Sequence, residues 1–292
     1  MVIVVVGPTA VGKTLMGIKL AKKYNGEVIN ADSTQVYRGL DIATAKVTFS
    51  EMDGVVHHLI DIRNINEDYT VFDFQNDCRK CINDILSRGK VPIIVGGTGL
   101  YIKAALYDYK FDLEDTKFDY SCYSNDQLYE RLLSIDPNTS IHKNNRKRVE
   151  RALSYYDSTG SILSSKEKAD ILLYDCVFVG LTTSRDILYD RINSRVDFMV
   201  SDGLIDEARK VYDTGIRSKA VMTPIGYKEL FDYFDGNSDL SDCISLIKQR
   251  SRNYAKRQYT WFNNQMSVNW FDVDFDNFSI TVDNVIRFID NL

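Results

Sequence analysis

Directly after Met1 the chain reads Val2-Ile3-Val4-Val5-Val6-Gly7-Pro8-Thr9-Ala10-Val11-Gly12-Lys13-Thr14, and this stretch decides the fold. Its first five residues are β-branched and apolar, which predicts a buried strand. The next eight match the pattern G-x-x-x-x-G-K-[ST], a loop whose backbone N–H groups surround phosphate oxygens. Residues 15–24 continue with helical periodicity, so the loop is expected to join a strand to the N-terminus of a helix.

Two side chains at the end of this loop carry the predicted chemistry. Lys13 supplies a positive point charge to a phosphate, and the Thr14 hydroxyl is placed to reach a Mg²⁺ ion. The alternative is a plain glycine turn, but the strand before the loop and the helix after it favour phosphate binding. The sequence therefore predicts a phosphorylated ligand, with Mg²⁺ as the cofactor.

Composition sets the class of protein. The chain has 292 residues, 44% of them hydrophobic, which is enough for one large or two modest globular domains. No stretch approaches the ~20 consecutive apolar residues that a membrane-spanning helix needs. Five cysteines, an odd number, fit a reducing compartment better than a disulfide framework. We therefore expect a cytoplasmic protein without a membrane partner.

Short apolar runs alternate with helical stretches along the chain. The runs predicted as buried strands are Val2–Val6, Val28–Asn30, Val91–Val95 and Val177–Gly180. This alternation predicts an α/β fold with a parallel sheet flanked by helices. Residues 113–172 are aromatic, charged and mostly helical in pattern, so we expect a helical insert there, with a core formed by residues 1–112 and 173–292. Later helices are expected over residues 185–212, 226–234 and 240–262.

Asp32 follows the second predicted strand, within Asn30-Ala31-Asp32-Ser33-Thr34-Gln35-Val36-Tyr37-Arg38-Gly39. Ligands of open α/β sheets bind outside the carboxyl ends of the strands, so Asp32 is expected in the same crevice as the phosphate-binding loop. A carboxylate there can accept a proton or hold a metal. The alternative is a turn or helix-capping residue.

The strand Val91–Val95 ends in Gly96-Gly97-Thr98-Gly99 and not in an acid. Nucleotide hydrolases with this type of loop use an acid there for Mg²⁺, so hydrolysis is disfavoured. The glycines would let a ligand approach the backbone closely, and Thr98 offers either a hydroxyl to that ligand or a helix N-cap.

Two basic stretches contrast with a formal net charge of −5. One runs from His142 to Arg151 and the other from Lys248 to Arg257, where there are five cations and no acid. Clusters of this kind bind nucleic-acid phosphates, although solvated helix faces would read the same way.

Four segments together resemble the tRNA dimethylallyltransferase (isopentenyltransferase) family. They are residues 7–14, Asp-Ser-Thr-Gln-Val-Tyr-Arg-Gly at 32–39, Gly-Gly-Thr-Gly-Leu-Tyr at 96–101 and Arg-Asn-Tyr-Ala-Lys-Arg-Gln-Tyr-Thr-Trp-Phe at 252–262. The phosphate-binding loop is common to many proteins, whereas the second and fourth segments are much more specific. The resemblance covers nearly the whole chain and implies a core similar to that of P-loop NTPases.

The resemblance implies transfer of a dimethylallyl group from dimethylallyl diphosphate to the exocyclic amine of the adenosine just 3′ of a tRNA anticodon. Asp32 would be the general base, because the amine lone pair is delocalised into the purine. Lys13, Thr14 with Mg²⁺ and an arginine would stabilise the leaving diphosphate. By family match we favour Arg195 as that arginine, with Arg191 as the second choice.

The same resemblance implies residues that bind the RNA. Ser33, Thr34, Gln35 and Thr98 are expected to hold the flipped nucleotide and its neighbours. The cations expected on the RNA phosphates are Arg146, Lys147, Arg148 and Arg151 in the insert, with Lys256 and Arg257 near the C-terminus. We expect the enzyme to act as a monomer.

Three alternatives share parts of this pattern. An isopentenyltransferase acting on free adenine nucleotides would not need the basic stretches. A small-molecule kinase would need a second Mg²⁺-holding acid, which the sequence does not offer. A non-catalytic RNA-binding module would not need Asp32 beside Lys13 and Thr14.

Overall fold

The computed structural model describes residues 1–111, 118–165 and 170–292. It divides into two compact units, one formed by Met1–Tyr107 with Leu172–Leu292 and the other by Asp108–Ile171. The domain boundary expected after residue 112 falls outside the described residues, and the first unit resumes at Leu172, one residue before the expected position. Within the described ranges, no helix is both long and apolar enough to cross a bilayer.

The first unit is built on a six-stranded sheet. Its strands are β1 (Val2–Val6), β2 (Gly26–Asn30), β3 (His57–His58), β4 (Val91–Val95), β5 (Cys176–Thr182) and β6 (Asn269–Asp272). They lie in the order β3-β2-β4-β1-β5-β6, and every pair is parallel. The predicted α/β class with a parallel sheet is confirmed, and β1 lies near the centre with its five residues buried.

The two edge strands were not predicted. β3 has only two residues, both histidine, and β6 reads Asn-Trp-Phe-Asp without an apolar run. Neither carries a strand pattern of its own, because its extended form is imposed by pairing with β2 or β5. Edge strands are often this short, since only one side of them is paired.

Helices flank the sheet. They are α1 (Lys13–Lys23), α2 (Val71–Ser87), α3 (Gly99–Leu106), then, after the second unit, α6 (Arg185–Ser201), α7 (Leu204–Asp213), α8 (Lys219–Met222), α9 (Tyr227–Phe234), α10 (Leu240–Gln265) and α11 (Phe278–Asp290). The prediction of a single helix over residues 185–212 is wrong. It is two helices, because Gly203 adopts φ 104°, a left-handed conformation that ends the regular hydrogen-bonding pattern.

Close packing holds α1 against the sheet. A Cβ atom on Gly17 would lie 2.4 Å from Cγ2 of Val95 on β4, so only glycine permits this approach. Met16 and Leu20 on the same helix are fully buried in the main apolar core, together with Val5 of β1. This packing fixes the start of α1, and therefore the end of the phosphate-binding loop, relative to β1 and β4.

The second unit is mainly helical. Its helices are α4 (Asn125–Ile135) and α5 (Arg146–Thr159), followed by a 3₁₀ turn at Leu163–Ser165. A separate apolar core forms around Leu128, Leu132, Val149 and Leu153. Ser124 caps α4 in a reciprocal pair with Gln127, and Asn145 caps α5, so both helix starts satisfy their free backbone N–H groups locally.

Candidate active site

A cavity of about 1180 Å³ lies in the first unit, outside the carboxyl ends of β1, β2 and β4. Its lining includes nine of the residues predicted from the sequence: Thr9, Ala10, Gly12, Lys13, Thr14, Asp32, Gln35, Arg191 and Arg195. The loop after β1, the turn after β2 and helix α6 thus meet around one space. Ligands of open α/β sheets bind at this edge, and the volume exceeds that of a typical small-molecule pocket.

The backbone of the phosphate-binding loop requires glycine at both of its ends. Gly7 has φ 141° and Gly12 has φ 98°, and both values are unfavourable for other residues. A Cβ atom on Gly7 would lie 2.6 Å from the Leu181 carbonyl oxygen, and one on Gly12 would lie 2.8 Å from Cε2 of Phe278. Between them Pro8, Thr9, Ala10 and Val11 complete the turn, with Ala10 at φ 66°. The loop is therefore held from outside by β5 and α11.

Lys13 is the first residue of α1, and its side chain turns back across the loop. Its Nζ donates to the Pro8 carbonyl oxygen at 2.6 Å. Burial, with a smaller contribution from Arg195, lowers the pKa of Lys13 to about 7, and Asp32 opposes the shift. Burial thus disfavours the charged form of Lys13, and a bound anion would favour that form again. The adjacent Thr14 is exposed and lines the cavity.

Both candidate arginines on α6 reach the loop. The Arg195 Nη1 donates to the Thr9 hydroxyl at 3.4 Å, and the Arg191 Nε donates to the Ala10 carbonyl oxygen at 3.1 Å. Arg191 is exposed and stacks over the Phe275 ring at 3.8 Å from its centroid, whereas Arg195 is half-buried. Burial lowers the pKa of Arg195 from its ordinary value, and the negative charge of Asp32 opposes this shift. Arg195 is thus the arginine that shares its electrostatic environment with Lys13 and Asp32.

Asp32 uses one carboxylate oxygen to hold its own turn. Its Oδ1 accepts hydrogen bonds from the Thr34 backbone N–H at 2.9 Å and from the Thr34 hydroxyl at 2.6 Å. The structure records no hydrogen bond to Oδ2 from any described residue. Oδ1 therefore stabilises the turn, which is the alternative that the sequence left open for Asp32. Oδ2 remains available to a ligand in the cavity that Asp32 lines.

Thr98 occupies the N-cap position of α3, but its side chain does not cap the helix. The Thr98 hydroxyl instead accepts from the Ser33 backbone N–H at 3.2 Å and lies 3.4 Å from the Ser33 hydroxyl. Ser33, Thr34 and Thr98 therefore form one polar group beside Asp32. Of the four residues expected to hold the nucleotide, these three lie next to the cavity lining, and Gln35 lies in it.

Gln35 is partly committed to the protein. Its Nε2 donates to the carbonyl oxygens of Thr44 at 3.0 Å and Ala45 at 3.2 Å, which holds the loop that forms another wall of the cavity. The same loop is fixed by Glu207, whose carboxylate accepts the backbone N–H groups of Asp41, Ile42 and Ala43. The loop is thus positioned by two side chains from outside it.

Among the lining residues that were not singled out from the sequence, two lie on α10. Tyr254 and Gln258, one turn apart on α10, both line the cavity. Gln258 accepts from the Thr9 backbone N–H at 2.9 Å and donates to the Gly97 carbonyl oxygen at 3.2 Å. Both residues lie in the segment that carries the family resemblance. The available signal was spacing: Gln258 follows Ala255 by three positions and precedes Phe262 by four, which predicts the buried face of a helix, where an amide must be hydrogen-bonded.

The predicted RNA-binding cations differ from one another in the structure. Arg146 is tied within the second unit, donating to the Tyr120 and Tyr123 carbonyl oxygens, to Asn125 and to Glu150. Its guanidinium holds that unit together. The other cations are exposed and form no ion pair with any residue of the described ranges: Lys147, Arg148, Arg151, Lys256 and Arg257.

The cavity offers few protein ligands for a metal. Within the part of the chain that the structure describes, no group of three or more His, Cys, Asp or Glu residues could hold an ion. Thr14 contributes a hydroxyl oxygen, a ligand type that Mg²⁺ accepts alongside water and substrate phosphates. This donor set fits a metal bound mainly through a diphosphate.

Comparison with known proteins now gives the family. The model of the IPP transferase family matches residues 35–265. The chain belongs to this family. Curated relatives include the tRNA dimethylallyltransferases of Geobacillus kaustophilus, 50% identical, and Geobacillus thermodenitrificans, 48% identical, each alignment covering 99% of this chain and 96% of the relative. As a member of the family, the chain is a prenyltransferase enzyme.

Solved structures of IPP transferases share the fold. The full-length tRNA isopentenylpyrophosphate transferase of Bacillus halodurans is 47% identical, with a TM-score of 0.78 over 99% of this chain and 95% of that one. A eukaryotic dimethylallyltransferase acting on tRNA is 32% identical, with a TM-score of 0.85 over 99% of this chain and 79% of that one. The similarity extends over the whole chain, so it includes the loop, the Asp32 turn and α10.

Proposed function

We propose that this enzyme transfers a dimethylallyl group from dimethylallyl diphosphate to the exocyclic amine of the adenosine directly 3′ of the anticodon in tRNA, releasing diphosphate. One observation carries the proposal: Lys13, Arg195 and an Asp32 carboxylate with one uncommitted oxygen face the same cavity. The reaction needs cations and a base in one cavity. The donor releases a negatively charged diphosphate, which cations stabilise, and the acceptor amine releases a proton, which the base accepts.

The diphosphate of the donor binds the phosphate-binding loop. The loop amides, Lys13 and Arg195 stabilise the negative charge that collects on the leaving oxygens as the allylic C–O bond breaks. Thr14 and the diphosphate would hold Mg²⁺, which would supply Lewis-acid stabilisation of the leaving group. Because Lys13 is desolvated before the donor binds, its attraction for that charge is stronger than at an open surface.

Asp32 acts on the acceptor. The adenosine amine forms the new N–C bond and loses a proton, which passes to the Asp32 carboxylate. The two hydrogen bonds from Thr34 to Oδ1 fix the orientation of the carboxylate. They leave Oδ2 free to accept the proton. General-base catalysis of this kind contributes about 10²- to 10⁴-fold.

The acceptor base must leave its stack to enter the cavity. Ser33, Thr34, Gln35 and Thr98 provide hydroxyl and amide groups around Asp32 that can hold a flipped base by its polar edges. An anticodon loop is single-stranded, so the unstacking cost is lower than in a duplex. Phosphates of the RNA would bind the exposed cations Arg148 and Arg151 of the second unit and Lys256 and Arg257 of α10.

We further propose that the enzyme works as a monomer in the cytoplasm. The residues to which we assign the reaction, Lys13, Asp32 and Arg195, all belong to one chain, so these roles require no second copy. All five cysteines are free thiols, which suits a reducing compartment where tRNA is also found. Light scattering of the purified protein with and without tRNA tests the oligomeric state.

The test of the reaction is mass spectrometry of nucleosides from tRNA incubated with the enzyme, dimethylallyl diphosphate and Mg²⁺. We expect one adenosine to gain one isoprenyl unit, with one diphosphate released for each transfer. Parallel reactions use free AMP as acceptor and ATP as donor. Faster prenylation of AMP than of tRNA would overturn the choice of acceptor, and ADP formation at a comparable rate would instead indicate a kinase.

A further inference from the structure

Gln258 connects two segments of the cavity wall that are far apart in sequence. Its Oε1 accepts from the Thr9 backbone N–H of the phosphate-binding loop at 2.9 Å, and its Nε2 donates to the Gly97 carbonyl oxygen after β4 at 3.2 Å. Only 5% of the residue is exposed. Both ends of one buried amide are therefore used, and each end holds a different segment.

Tyr254 continues this connection toward Asp32. It lies beside Gln258 in the cavity lining, and its hydroxyl interacts with the side chains of Gln258 and Thr98. Thr98 in turn accepts from the backbone N–H of Ser33, the residue that follows Asp32. Burial raises the pKa of Tyr254, and the nearby charge of Asp32 adds to this, so its hydroxyl stays protonated.

The connection ends at a catalytic group on the donor side as well. The Thr9 side chain accepts from the Arg195 guanidinium at 3.4 Å, while the Thr9 backbone N–H is held by Gln258. A series of contacts thus runs from Arg195 and Thr9 through Gln258 to Gly97. Thr98, the next residue after Gly97, continues it to the Asp32 turn, with Tyr254 beside Gln258 and Thr98.

Packing leaves these contacts little freedom. A Cβ atom on Gly97 would lie 2.0 Å from Nε2 of Gln258, and one on Gly99 would lie 2.0 Å from Cε3 of Trp261. Gly97 and Gly99 therefore admit α10, while Gly96 and Gly97 also line the cavity. A helix pressed this closely against the segment transmits small displacements, because packed interiors are not readily compressed.

We propose that Tyr254 and Gln258 are positioning residues that couple donor binding at the phosphate-binding loop to acceptor binding at the Asp32 turn. The inference rests on the proposed function, since it assigns the two ends of the series to the two substrates. Diphosphate bound at the loop fixes Thr9 and Arg195, and the series then holds Thr98 and Ser33 in the position that receives the nucleotide. By reciprocity, bound RNA must tighten donor binding by the same factor.

The first experiment measures this factor directly. Calorimetric titration of inorganic diphosphate with Mg²⁺ is carried out on the wild-type protein, alone and saturated with unmodified tRNA. We expect the tRNA to tighten diphosphate binding about fivefold or more. Tyr254→Phe removes only the hydroxyl, and we expect it to reduce the factor toward one while changing the binding of each ligand alone by much less.

A matched control lies on the same helix. Thr260→Ala alters an exposed side chain whose hydroxyl bonds only to the Lys256 carbonyl oxygen of its own helix. We expect it to keep the wild-type factor. If Tyr254→Phe also keeps that factor, with thermal unfolding unchanged, the coupling does not pass through this residue and the inference is wrong.

A second experiment uses the amide chemistry of Gln258. In Gln258→Glu the carboxylate can still accept from the Thr9 N–H, but an ionised carboxylate faces the Gly97 carbonyl oxygen without a proton to donate. Burial of this position and the facing Gly97 carbonyl oxygen raise the pKa of the introduced carboxyl above its ordinary value, so lowering the pH protonates it and restores the donor. We therefore expect the kcat of this variant, divided by that of the wild type, to fall by about tenfold or more as pH rises from 6 to 9, in keeping with the cost of small misplacements.

Gln258→Leu separates this effect from loss of packing, since no pH restores its hydrogen bonds. We expect a kcat ratio for that variant that is low and independent of pH. A Gln258→Glu ratio equally independent of pH would overturn the positioning role. The outcomes also stand apart from the proposed function: a wild-type enzyme that prenylates tRNA but shows a binding factor of one refutes the inference alone, whereas absence of prenyl transfer refutes the function.

Discussion

The cations of this enzyme form two sets with opposite surroundings. Lys13 and Arg195 line the cavity, and burial lowers the pKa of each. Arg148, Arg151 and Lys256 are exposed on helices and lack ion pairs among the described residues. The first set is held in place by the phosphate-binding loop, whereas the second is surrounded by water.

The difference separates chemistry from docking. A desolvated cation interacts strongly and at short range with charge that develops on a bound group, so it affects rate. An exposed cation is screened by salt and contributes mainly through release of counterions, so it affects affinity. The net charge of −5 reveals neither set of cations, because it adds the charges of both sets to those of acids elsewhere in the chain.

The largest effect is expected inside the cavity, at Asp32. Asp32→Asn keeps an oxygen for the Thr34 N–H but removes the base, so we expect the single-turnover rate to fall by about 10²- to 10⁴-fold. Affinity for tRNA should stay within several-fold. A variant with the wild-type rate and an intact turn would show that Asp32 only supports the backbone.

Arg195 and Arg191 give a matched pair within the cavity set. Arg195→Ala removes the half-buried guanidinium beside Lys13 and Asp32, and we expect kcat to fall by about 10²-fold. Arg191→Ala removes an exposed guanidinium stacked on Phe275, and we expect a loss of about tenfold or less. Steady-state kinetics with both substrates varied decides between them. Equal losses would mean that burial does not distinguish these residues.

The lowered pKa of Lys13 predicts that donor binding takes up a proton. In the free protein its pKa is about 7, so at pH 8 the amine is mostly neutral, whereas a bound diphosphate favours the charged form. We expect uptake approaching one proton at pH 8, measured by calorimetry in buffers of different ionisation enthalpy. Affinity for diphosphate should then weaken by up to about tenfold per pH unit above 7.

Lys13→Arg is the control, since an arginine stays charged across this range. It should abolish the proton uptake even where it weakens binding. Uptake by Lys13→Arg equal to that of the wild type would assign the proton to another group.

The lowered pKa of Lys13 also affects folding. The unfolded chain keeps the Lys13 proton up to about pH 10.5, whereas the folded chain keeps it only up to about pH 7. The contribution of Lys13 to stability is therefore least favourable below pH 7 and becomes more favourable as pH rises between these values.

The smallest effect is expected from the exposed set. Replacing Arg148 and Arg151 together by alanine should flatten the log–log dependence of tRNA affinity on salt by up to about two units, with donor affinity unchanged. Lys19→Ala with Lys23→Ala, two exposed cations on α1, is the charge-matched control and should leave the slope as it is. If both double variants behave alike, Arg148 and Arg151 belong to a solvated helix face.

Much of the fold could be predicted from local sequence. The four longer strands and the phosphate-binding loop were predicted because their signals are short-range: a run of β-branched residues, or glycines at fixed spacing. The break at Gly203 inside a predicted helix and the strands β3 and β6 were missed. In the first case helical periodicity continued across the break, and in the second the extended backbone depends on a neighbouring strand.

The site divides in the same way. Lys13, Thr14 and Asp32 were predicted to share one crevice, and they line one cavity, because each follows a strand that ends at the same edge of a parallel sheet. Arg146 was expected on RNA, yet its donors are used within its own unit, and no sequence pattern shows where a guanidinium is spent. The segment Gly96–Gly99 was expected to let a ligand approach the backbone. In the structure Gly96 and Gly97 line the cavity, and the close approach of α10 to Gly97 and Gly99 was not foreseen.

The sequence by itself thus determined the type of fold, the loop and the residues that we propose for the reaction, since these depend on residue type and spacing along the chain. Only the tertiary structure decided which of their atoms are free. It committed one oxygen of Asp32 to Thr34, aimed Arg195 at Thr9 and connected Gln258 to two segments more than 150 positions away. Hydrogen bonds and burial between distant residues set these states, and they arise only when the chain is packed.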